Sequence, residues 1–107
     1  MSVVIAVMNE EENIRPLLAS LRENLTQINH EIIFVDDGST DKTVPEILAN
    51  GYDAVRVIEF TKNYGQSIAM QAGIDQSKGA YIVTLDGDLQ NDPKDIPMLL
   101  EKIENEP

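Results

Sequence analysis

Short apolar runs and helical stripes alternate along this chain, and that alternation limits its fold more than any other feature. Four runs are rich in β-branched and other apolar residues and have the length of single strands, namely Ser2–Met8, Ile32–Val35, Ala54–Phe60 and Ala80–Leu85. Each run is followed by a segment in which apolar residues recur as on one face of a helix. Strands that alternate with helices over short connections form a parallel sheet with right-handed crossovers. The sequence therefore predicts an α/β fold with helices on both faces of the sheet.

The helical stripes are the expected core positions of the helices. They are Ile14, Leu17, Leu18, Leu21 and Leu25 in the first helix, Val44, Ile47 and Leu48 in the second, Ile68, Ala69, Ala72 and Ile74 in the third, and Ile96, Leu99, Leu100 and Ile103 in the last. We place Pro16 in the first turn of the first helix, where proline lacks no needed hydrogen bond. The first strand is almost wholly apolar, as expected of a strand covered on both faces. We therefore predict that it is central, in the strand order 3-2-1-4.

A polar cluster follows each predicted strand. The clusters are Asn9-Glu10-Glu11, Asp36-Asp37, Lys62-Asn63-Tyr64-Gly65 and Asp86-Gly87-Asp88. In an open parallel sheet the carboxyl ends of the strands lie at one edge, and ligands bind at that edge. The four clusters are therefore expected to converge on one ligand site, although a purely structural role stays open for Asp36.

The cluster after the fourth strand has the composition of a cation site. Asp86 and Asp88 are two residues apart, Gly87 lets the backbone bend between them, and the amide oxygen of Gln90 can complete a set of oxygen ligands. Hard divalent cations such as Mg²⁺ or Mn²⁺ prefer such ligands. The alternative is an Asp-rich turn that caps the following helix. The acidic clusters at the other strand ends favour the metal site.

The charge of the chain restricts its partners. The 107 residues include 19 acidic and 8 basic side chains, for a formal net charge of −11. This charge repels nucleic acids and anionic lipid surfaces, so a polyanionic ligand needs a metal bridge. The chain has no cysteine, which excludes disulfides and thiolate chemistry. Its longest apolar run, Val3–Met8, is too short to cross a membrane, and the sequence fits a cytoplasmic protein.

Four motifs in order resemble those of family 2 glycosyltransferases with the Rossmann-like GT-A fold. They are Val3–Asn13, Val35–Asp41, Asn63–Gln66 and Thr84–Pro93. The resemblance is greatest to the polyprenyl-phosphate branch, which includes dolichyl-phosphate mannosyltransferase and undecaprenyl-phosphate glycosyltransferases. It implies metal-dependent, inverting transfer of a sugar from a UDP- or GDP-sugar to a lipid phosphate.

The resemblance also assigns roles to individual residues. It implies that Ala6, Met8 and Glu10 lie along the nucleoside, that Val35 and Asp37 lie beside the base and ribose, and that Asp86, Asp88 and Gln90 hold the metal and diphosphate. Asp86 and Asp88 would then be the catalytic pair. The chain departs from the family at Ala6, where proline is usual, and at Met8, where an aromatic residue is usual. Thioether packing is thus expected to replace stacking on the base.

The resemblance covers residues 1–107 as the donor-binding, N-terminal half of a truncated catalytic domain. It implies that the lipid phosphate acceptor and any membrane contact involve later segments, that the full-length protein acts at the cytoplasmic face of the membrane, and that these residues alone do not transfer sugar. A homo-oligomer of this chain is possible. Two other interpretations are a non-catalytic module that binds nucleotide and metal, and a receiver-like domain with a phosphorylated aspartate. A receiver would need a lysine after a fifth strand, and the sequence has none.

Overall fold

A computed structural model of the chain describes residues 1–86 and 96–97. The strands and helices alternate as predicted. In chain order they are β1 (Ser2–Val7), α1 (Glu11–Leu25), β2 (Glu31–Asp36), α2 (Thr43–Asn50), β3 (Val55–Glu59), α3 (Gln66–Gln76) and β4 (Ile82–Asp86). Residues 96–97 are helical. The remainder of the predicted last helix, with Leu99, Leu100 and Ile103, lies outside the described residues.

The four strands form one parallel sheet in the order β3-β2-β1-β4, which confirms the predicted topology. In the register of the sheet, Val7 is opposite Asp36, Asp36 is opposite Glu59, and Ala6 is opposite Asp86. All four strands therefore end at the same edge, which we call the carboxyl edge. The opposite edge, where the strands begin, is called the amino edge.

The larger part of the core lies between the sheet and α1. Alternate residues of β1 and β2 enter it, and so does the apolar stripe of α1. Its fully or almost fully buried members are Val3, Ile5, Val7, Ile14, Leu17, Leu18, Leu21, Leu25, Ile32, Phe34, Ile47, Leu85 and Ile96. The burial of Ile96 confirms that the last apolar stripe begins in the core. The apolar residues at all positions of β1 after Ser2 are explained by the cover on both faces.

The other face of the sheet is covered by α3, and small residues make that contact. Ala69 and Gly73 are buried, and a Cβ atom built on Gly73 would lie only 2.3 Å from Cγ1 of Val4. The helix therefore packs very close to β1 and β2. The prediction that Ile68 is a core residue is wrong, because close packing through Ala69 and Gly73 turns it outward and leaves it 54% exposed.

Two further predictions for the helices are wrong. Leu48 is 72% exposed because α2 buries only a narrow stripe centred on Ile47. Pro16 is the sixth residue of α1, beyond its first turn, because the helix begins as early as Glu11. Both Pro16 and Glu12, whose carbonyl would accept the missing helical hydrogen bond, are exposed to solvent. Water can therefore satisfy that carbonyl, which makes the proline tolerable there.

At the amino edge, one carboxylate ties several segments together. Glu31 Oε2 accepts hydrogen bonds from Ser2 Oγ and from the backbone N–H of Lys78, both at 2.6 Å. Glu31 Oε1 accepts one from Arg56 Nη2 at 2.8 Å, and Ser2 Oγ accepts one from the N–H of Gly79 at 2.8 Å. Burial raises the pKa of Glu31, but the hydrogen bonds from Ser2, Lys78 and Arg56 outweigh it and lower the pKa to about 2. This network joins the starts of three strands.

Candidate functional site

The three loops that follow β1, β2 and β3 meet at the carboxyl edge, together with the last residue of β4. The β1–α1 loop spans residues 8–10, the β2–α2 loop spans residues 37–42, and the β3–α3 loop spans residues 60–65. The chain runs from β1 to one side of the sheet and reaches β4 on the other side. This is the switch point of an open α/β sheet, the place where such sheets form a cleft for ligands. We call this place the cleft. The predicted convergence of the polar clusters is confirmed for the first three.

The first two loops are locked together by Asn9. This residue has φ = 53°, in the left-handed region that asparagine tolerates better than most residues. Its backbone N–H donates to Ser39 Oγ at 2.9 Å, and its Oδ1 accepts from the N–H of Thr40 at 2.9 Å. The exchange fixes the chain directly after β1 against the loop after β2.

More hydrogen bonds join the same loops further along. The N–H of Glu10 donates to Thr43 Oγ1 at 2.8 Å, and the N–H of Lys42 donates to Glu11 Oε2 at 3.1 Å. Asp41 accepts from the N–H groups of Thr43 (2.9 Å) and Glu11 (3.3 Å) and from the hydroxyl of Thr43. Burial raises the pKa of Asp41, but these hydrogen bonds outweigh it and hold the pKa below its usual value. Asp41 thus binds the first residue of α2 and stays anionic.

Asp37 lies at the junction of all three loops. It is 4% exposed, and its N–H donates to the carbonyl of Val7 at 2.9 Å. Its Oδ1 accepts from the N–H of Tyr64 at 2.7 Å, and its Oδ2 accepts from the N–H of Gly65 at 3.0 Å. Both carboxylate oxygens therefore already bind the β3–α3 loop. The predicted contact of Asp37 with the base and ribose stays a prediction.

Asp36 is buried on the opposite face of the strand end. Its Oδ2 accepts from the N–H of Ser39 at 3.2 Å. Its Oδ1 is buried and has no hydrogen-bond partner among residues 1–86 and 96–97. The side chain therefore belongs to the folded loop rather than to the solvent-facing cleft, which agrees with the structural role left open for it.

The other predicted donor-binding residues differ in their access to the cleft. Val35 is completely buried and packs with Ala69 under α3, and Ala6 packs partly against the same cluster. Met8 and Glu10 follow the end of β1 and are half-buried. Glu10 Oε2 accepts from Asn13 Nδ2 at 2.7 Å, so its carboxylate is held in place. Among the donor-binding candidates whose side chains the structure describes, Met8 and Glu10 are the two that lie beyond a strand end and are partly exposed.

Of the three predicted metal ligands, the structure describes Asp86, and only by its main chain. The backbone of Asp86 ends β4, beside Ala6 at the switch point. Asp88 and Gln90 lie outside the described residues. Within the part of the chain that the structure describes, no three histidine, cysteine, aspartate or glutamate side chains could hold a metal ion together. The role of Asp86, Asp88 and Gln90 as ligands stays a prediction.

Sequence reasoning missed the residues that join the loops. Asn9, Ser39 and Thr40 were visible only as polar loop residues, and Gly38 only as part of a turn. Gly38 has φ = 81°, and a Cβ atom there would lie 2.8 Å from the backbone carbon of Lys62. The Asp-Gly pair was the one available signal for such a left-handed position. The Asp-Gly pair did not indicate that the β3–α3 loop would pack against Gly38.

The fold and this edge define an open α/β protein whose polar loops meet at the switch point of the sheet. Residues 2–107 match the model of glycosyl transferase family 2, and the chain belongs to that family. This membership sets the receiver interpretation aside. Within the described ranges, no helix is both long enough and apolar enough to cross a membrane.

Two curated relatives show the similarity in sequence. The chain is 44% identical over 111 residues to a dodecaprenyl-phosphate galacturonate synthase of Rhizobium johnstonii, an alignment that covers 97% of this chain and 32% of the relative. It is 40% identical over 108 residues to an undecaprenyl-phosphate 4-deoxy-4-formamido-L-arabinose transferase of Pseudomonas fluorescens, covering 96% and 32%. The chain thus spans about a third of the length of these relatives.

A solved structure shows the similarity in fold. It is glucosyl-3-phosphoglycerate synthase of Mycobacterium tuberculosis in complex with Mn²⁺, UDP and glucosyl-3-phosphoglycerate. The TM-score is 0.81 at 26% sequence identity, and the match covers 97% of this chain and 39% of that one. Together with the strand order, this match confirms the predicted GT-A fold.

Proposed function

We propose that this chain is the donor-binding, N-terminal part of a glycosyltransferase that moves a sugar from a nucleotide diphosphate to a polyprenyl phosphate. The observation that carries the proposal is the meeting of three interlocked polar loops and the end of β4 at the switch point. Nucleotides bind at this place in open α/β sheets. The two curated relatives, both named for polyprenyl-phosphate substrates, support the class of acceptor.

The oxygen-bearing side chains after β4 are suited to bind a divalent cation. Asp86, Asp88 and Gln90 offer only oxygen ligands, which Mg²⁺ and Mn²⁺ prefer. The carboxylates of Asp37 and Asp41 are already engaged by backbone N–H groups, so they compete little for the ion. When bound, the ion would act as a Lewis acid that offsets the negative charge developing on the departing nucleoside diphosphate.

The remaining predicted residues would shape the nucleoside site. Met8 and Glu10 follow β1 and are partly exposed, so their side chains can reach a ligand in the cleft. Val35 is buried and can act only through the position of the strand end, whereas Ala6 offers a small side chain beside Asp86. A lipid phosphate is already an anion at neutral pH, so it needs no strong general base to attack the sugar. The site can therefore be simple in its proton chemistry.

Metal-dependent nucleotide binding is the first test. Titration calorimetry with UDP and with GDP, in buffer containing MnCl₂ or MgCl₂, should show binding that EDTA abolishes. The physical reason is repulsion, because unit charges about 4 Å apart cost roughly 4 kcal/mol at an effective dielectric constant near 20. Equal affinity with and without EDTA would contradict the proposal. The difference between UDP and GDP would identify the base.

Substitution of one ligand sharpens that test. Asp88→Asn removes one ligand charge and should lower the affinities for metal and nucleotide together. Asp53→Asn is the matched control, because Asp53 is exposed in the turn before β3, away from the carboxyl edge. A loss of nucleotide affinity in Asp88→Asn with unchanged metal affinity would argue against metal-bridged binding.

Sugar transfer is the second test. We propose that the acceptor is bound by later segments at the cytoplasmic face of the membrane, since this chain spans about a third of its relatives. Residues 1–107 should therefore bind the donor without transferring sugar to a polyprenyl phosphate. Detectable transfer by these residues alone would refute this division of roles.

A further inference from the structure

The β3–α3 loop is held at the carboxyl edge mainly by one buried carboxylate. The residue is Asp37: its Oδ1 accepts a hydrogen bond from the N–H of Tyr64 at 2.7 Å, and its Oδ2 accepts one from the N–H of Gly65 at 3.0 Å. Its own N–H donates to the carbonyl of Val7 at 2.9 Å. One residue therefore links the end of β1, the start of the β2–α2 loop and the end of the β3–α3 loop. Hydrogen bonds to a charged acceptor are stronger than neutral ones, so this link is a firm one.

The residue after Asp37 sets how closely the two loops approach. A Cβ atom on Gly38 would lie 2.8 Å from the backbone carbon of Lys62 and 2.9 Å from the backbone nitrogen of Asn63. Since Gly38 also has φ = 81°, only glycine fits here without strain. The β3–α3 loop thus rests directly on the backbone of the β2–α2 loop. Asp37 holds it in that contact.

Among the described residues, few other contacts fix the middle of this loop. Residues 61–64 are exposed, and Gly65 has φ = 101°. Besides Asp37 and the close approach of Gly38, the loop is held at its two ends. The N–H of Phe60 donates to the carbonyl of Asp36 at 2.8 Å, and the carbonyl of Gly65 accepts from the N–H of Ala69 at 3.1 Å. The Tyr64 ring lies edge-to-face on Phe60, with centroids 5.6 Å apart. A segment with few buried apolar contacts opens locally at low cost. Its position should therefore depend on the carboxylate of Asp37.

We propose that Asp37 is a positioning residue for the donor site. Its carboxylate fixes the β3–α3 loop so that Lys62 and the half-exposed Tyr64 form one wall of the cleft above β1 and β2. The proposal rests on the donor-binding function inferred above. Asp37 thus acts on the donor through the loop.

Limited proteolysis with trypsin measures the state of the loop, because Lys62 lies in it. In Asp37→Asn and Asp37→Ala, cleavage after Lys62 should rise about tenfold, which corresponds to about 1.4 kcal/mol and matches the loss of hydrogen bonds to a charged group. Cleavage after Lys78, at the amino edge, serves as the internal reference and should stay constant. Asp53→Asn should change neither site. Unchanged cleavage after Lys62, or an equal rise after Lys78, would overturn the proposal.

Gly38→Ala provides a second variant that leaves Asp37 in place. Its added methyl group must displace the backbone near Lys62, so it should also raise cleavage after Lys62 and not after Lys78. If the Asp37 variants are globally unfolded, Gly38→Ala still tests whether the position of the β3–α3 loop depends on its contact with the β2–α2 loop. No rise after Lys62 in a folded Gly38→Ala protein would overturn the claim that the loop is held by this contact.

Nucleotide binding separates this proposal from the proposed function. With MnCl₂, UDP or GDP should slow cleavage after Lys62 in the unsubstituted protein, and Asp37→Asn should bind nucleotide at least fivefold more weakly. If the unsubstituted protein binds no nucleotide, the proposed function fails while the cleavage result still tests the loop contact. Weaker binding by Asp37→Asn without faster cleavage would point to direct contact with the nucleotide and overturn the positioning role.

Discussion

The two edges of the sheet hold their carboxylates in different ways. At the amino edge, Glu31 is paired with the guanidinium of Arg56 and also accepts from a hydroxyl and a backbone N–H. At the carboxyl edge, Asp37 and Asp41 accept from backbone N–H groups and a hydroxyl, with no cationic side chain bonded to them. The Arg56–Glu31 pair is the one ion pair in the described part of the chain. Glu31 thus has a cationic partner, whereas Asp37 and Asp41 are ordered without one.

The carboxylates at the two edges therefore have different effects on the protein. A carboxylate that is paired and hydrogen-bonded lowers the free energy of the folded state and attracts nothing further. Carboxylates held only by uncharged donors keep their negative charge at the edge where a ligand would enter. An anionic diphosphate is disfavoured there unless a cation comes with it. The amino edge thus stabilises the sheet, and the carboxyl edge is where we propose that a metal-bound ligand enters.

Removing the carboxylate of Glu31 should give the largest loss of stability. Glu31→Ala removes the acceptor of the Ser2 hydroxyl and of the N–H of Lys78, and leaves Arg56 only the carbonyl of Gln76. We expect the free energy of unfolding to fall by about 3 kcal/mol. Glu23→Ala, at an exposed position of α1, is the control and should change it by less than about 0.5 kcal/mol. Urea denaturation measures both. Equal losses would show that the amino edge is no more than an ordinary surface.

Acid should weaken the network at the amino edge. The pKa of Glu31 is about 2 in the folded protein and 4.5 ordinarily, so its contribution to stability is complete above pH 4.5 and is lost as the pH falls toward 2. We expect the loss to be about 2 kcal/mol, reduced from the full linkage value because Arg56 is well exposed. Glu31→Gln should flatten this part of the pH profile in denaturation experiments. A profile unchanged by that substitution would locate the acid sensitivity elsewhere.

Removing the side-chain hydrogen bond of Asn9 at the carboxyl edge should have the smallest effect on stability. Asn9→Ala loses the acceptor for the N–H of Thr40 and puts alanine, which tolerates the left-handed region less well than asparagine, at φ = 53°. We expect it to cost about 1–2 kcal/mol. Asn9→Gly loses the same acceptor but accepts that backbone conformation freely. It should therefore cost less than Asn9→Ala in thermal denaturation. The reverse order would show that the left-handed backbone does not matter there.

The sheet could be predicted because its signals are local. Each strand is a continuous apolar run, and burial of β1 on both faces follows from an apolar residue at almost every position. The helix surfaces were harder to predict. Leu48 and Ile68 have the spacing of core residues, but how much of a helix is covered depends on how closely it packs, which Gly73 decides for α3.

The candidate site was predictable in its location and not in its contacts. That polar clusters would meet at the carboxyl edge follows from parallel strands alone. The partners of Asn9 and Asp37 lie about thirty residues away along the chain, on other loops. Nothing in the local pattern around Asp37 distinguishes a carboxylate that faces a ligand from one that binds a backbone loop.

The sequence by itself determined the α/β class, the strand order and the edge at which the chemistry gathers. These follow from hydrophobic periodicity and chain connectivity, which are properties of short segments. Only the tertiary structure decided which carboxylates are already bound, that of Asp37 to the β3–α3 loop and that of Glu31 to Arg56. Hydrogen bonds form wherever folding brings a donor within about 3 Å of an acceptor, and that distance depends on the packing of the whole sheet.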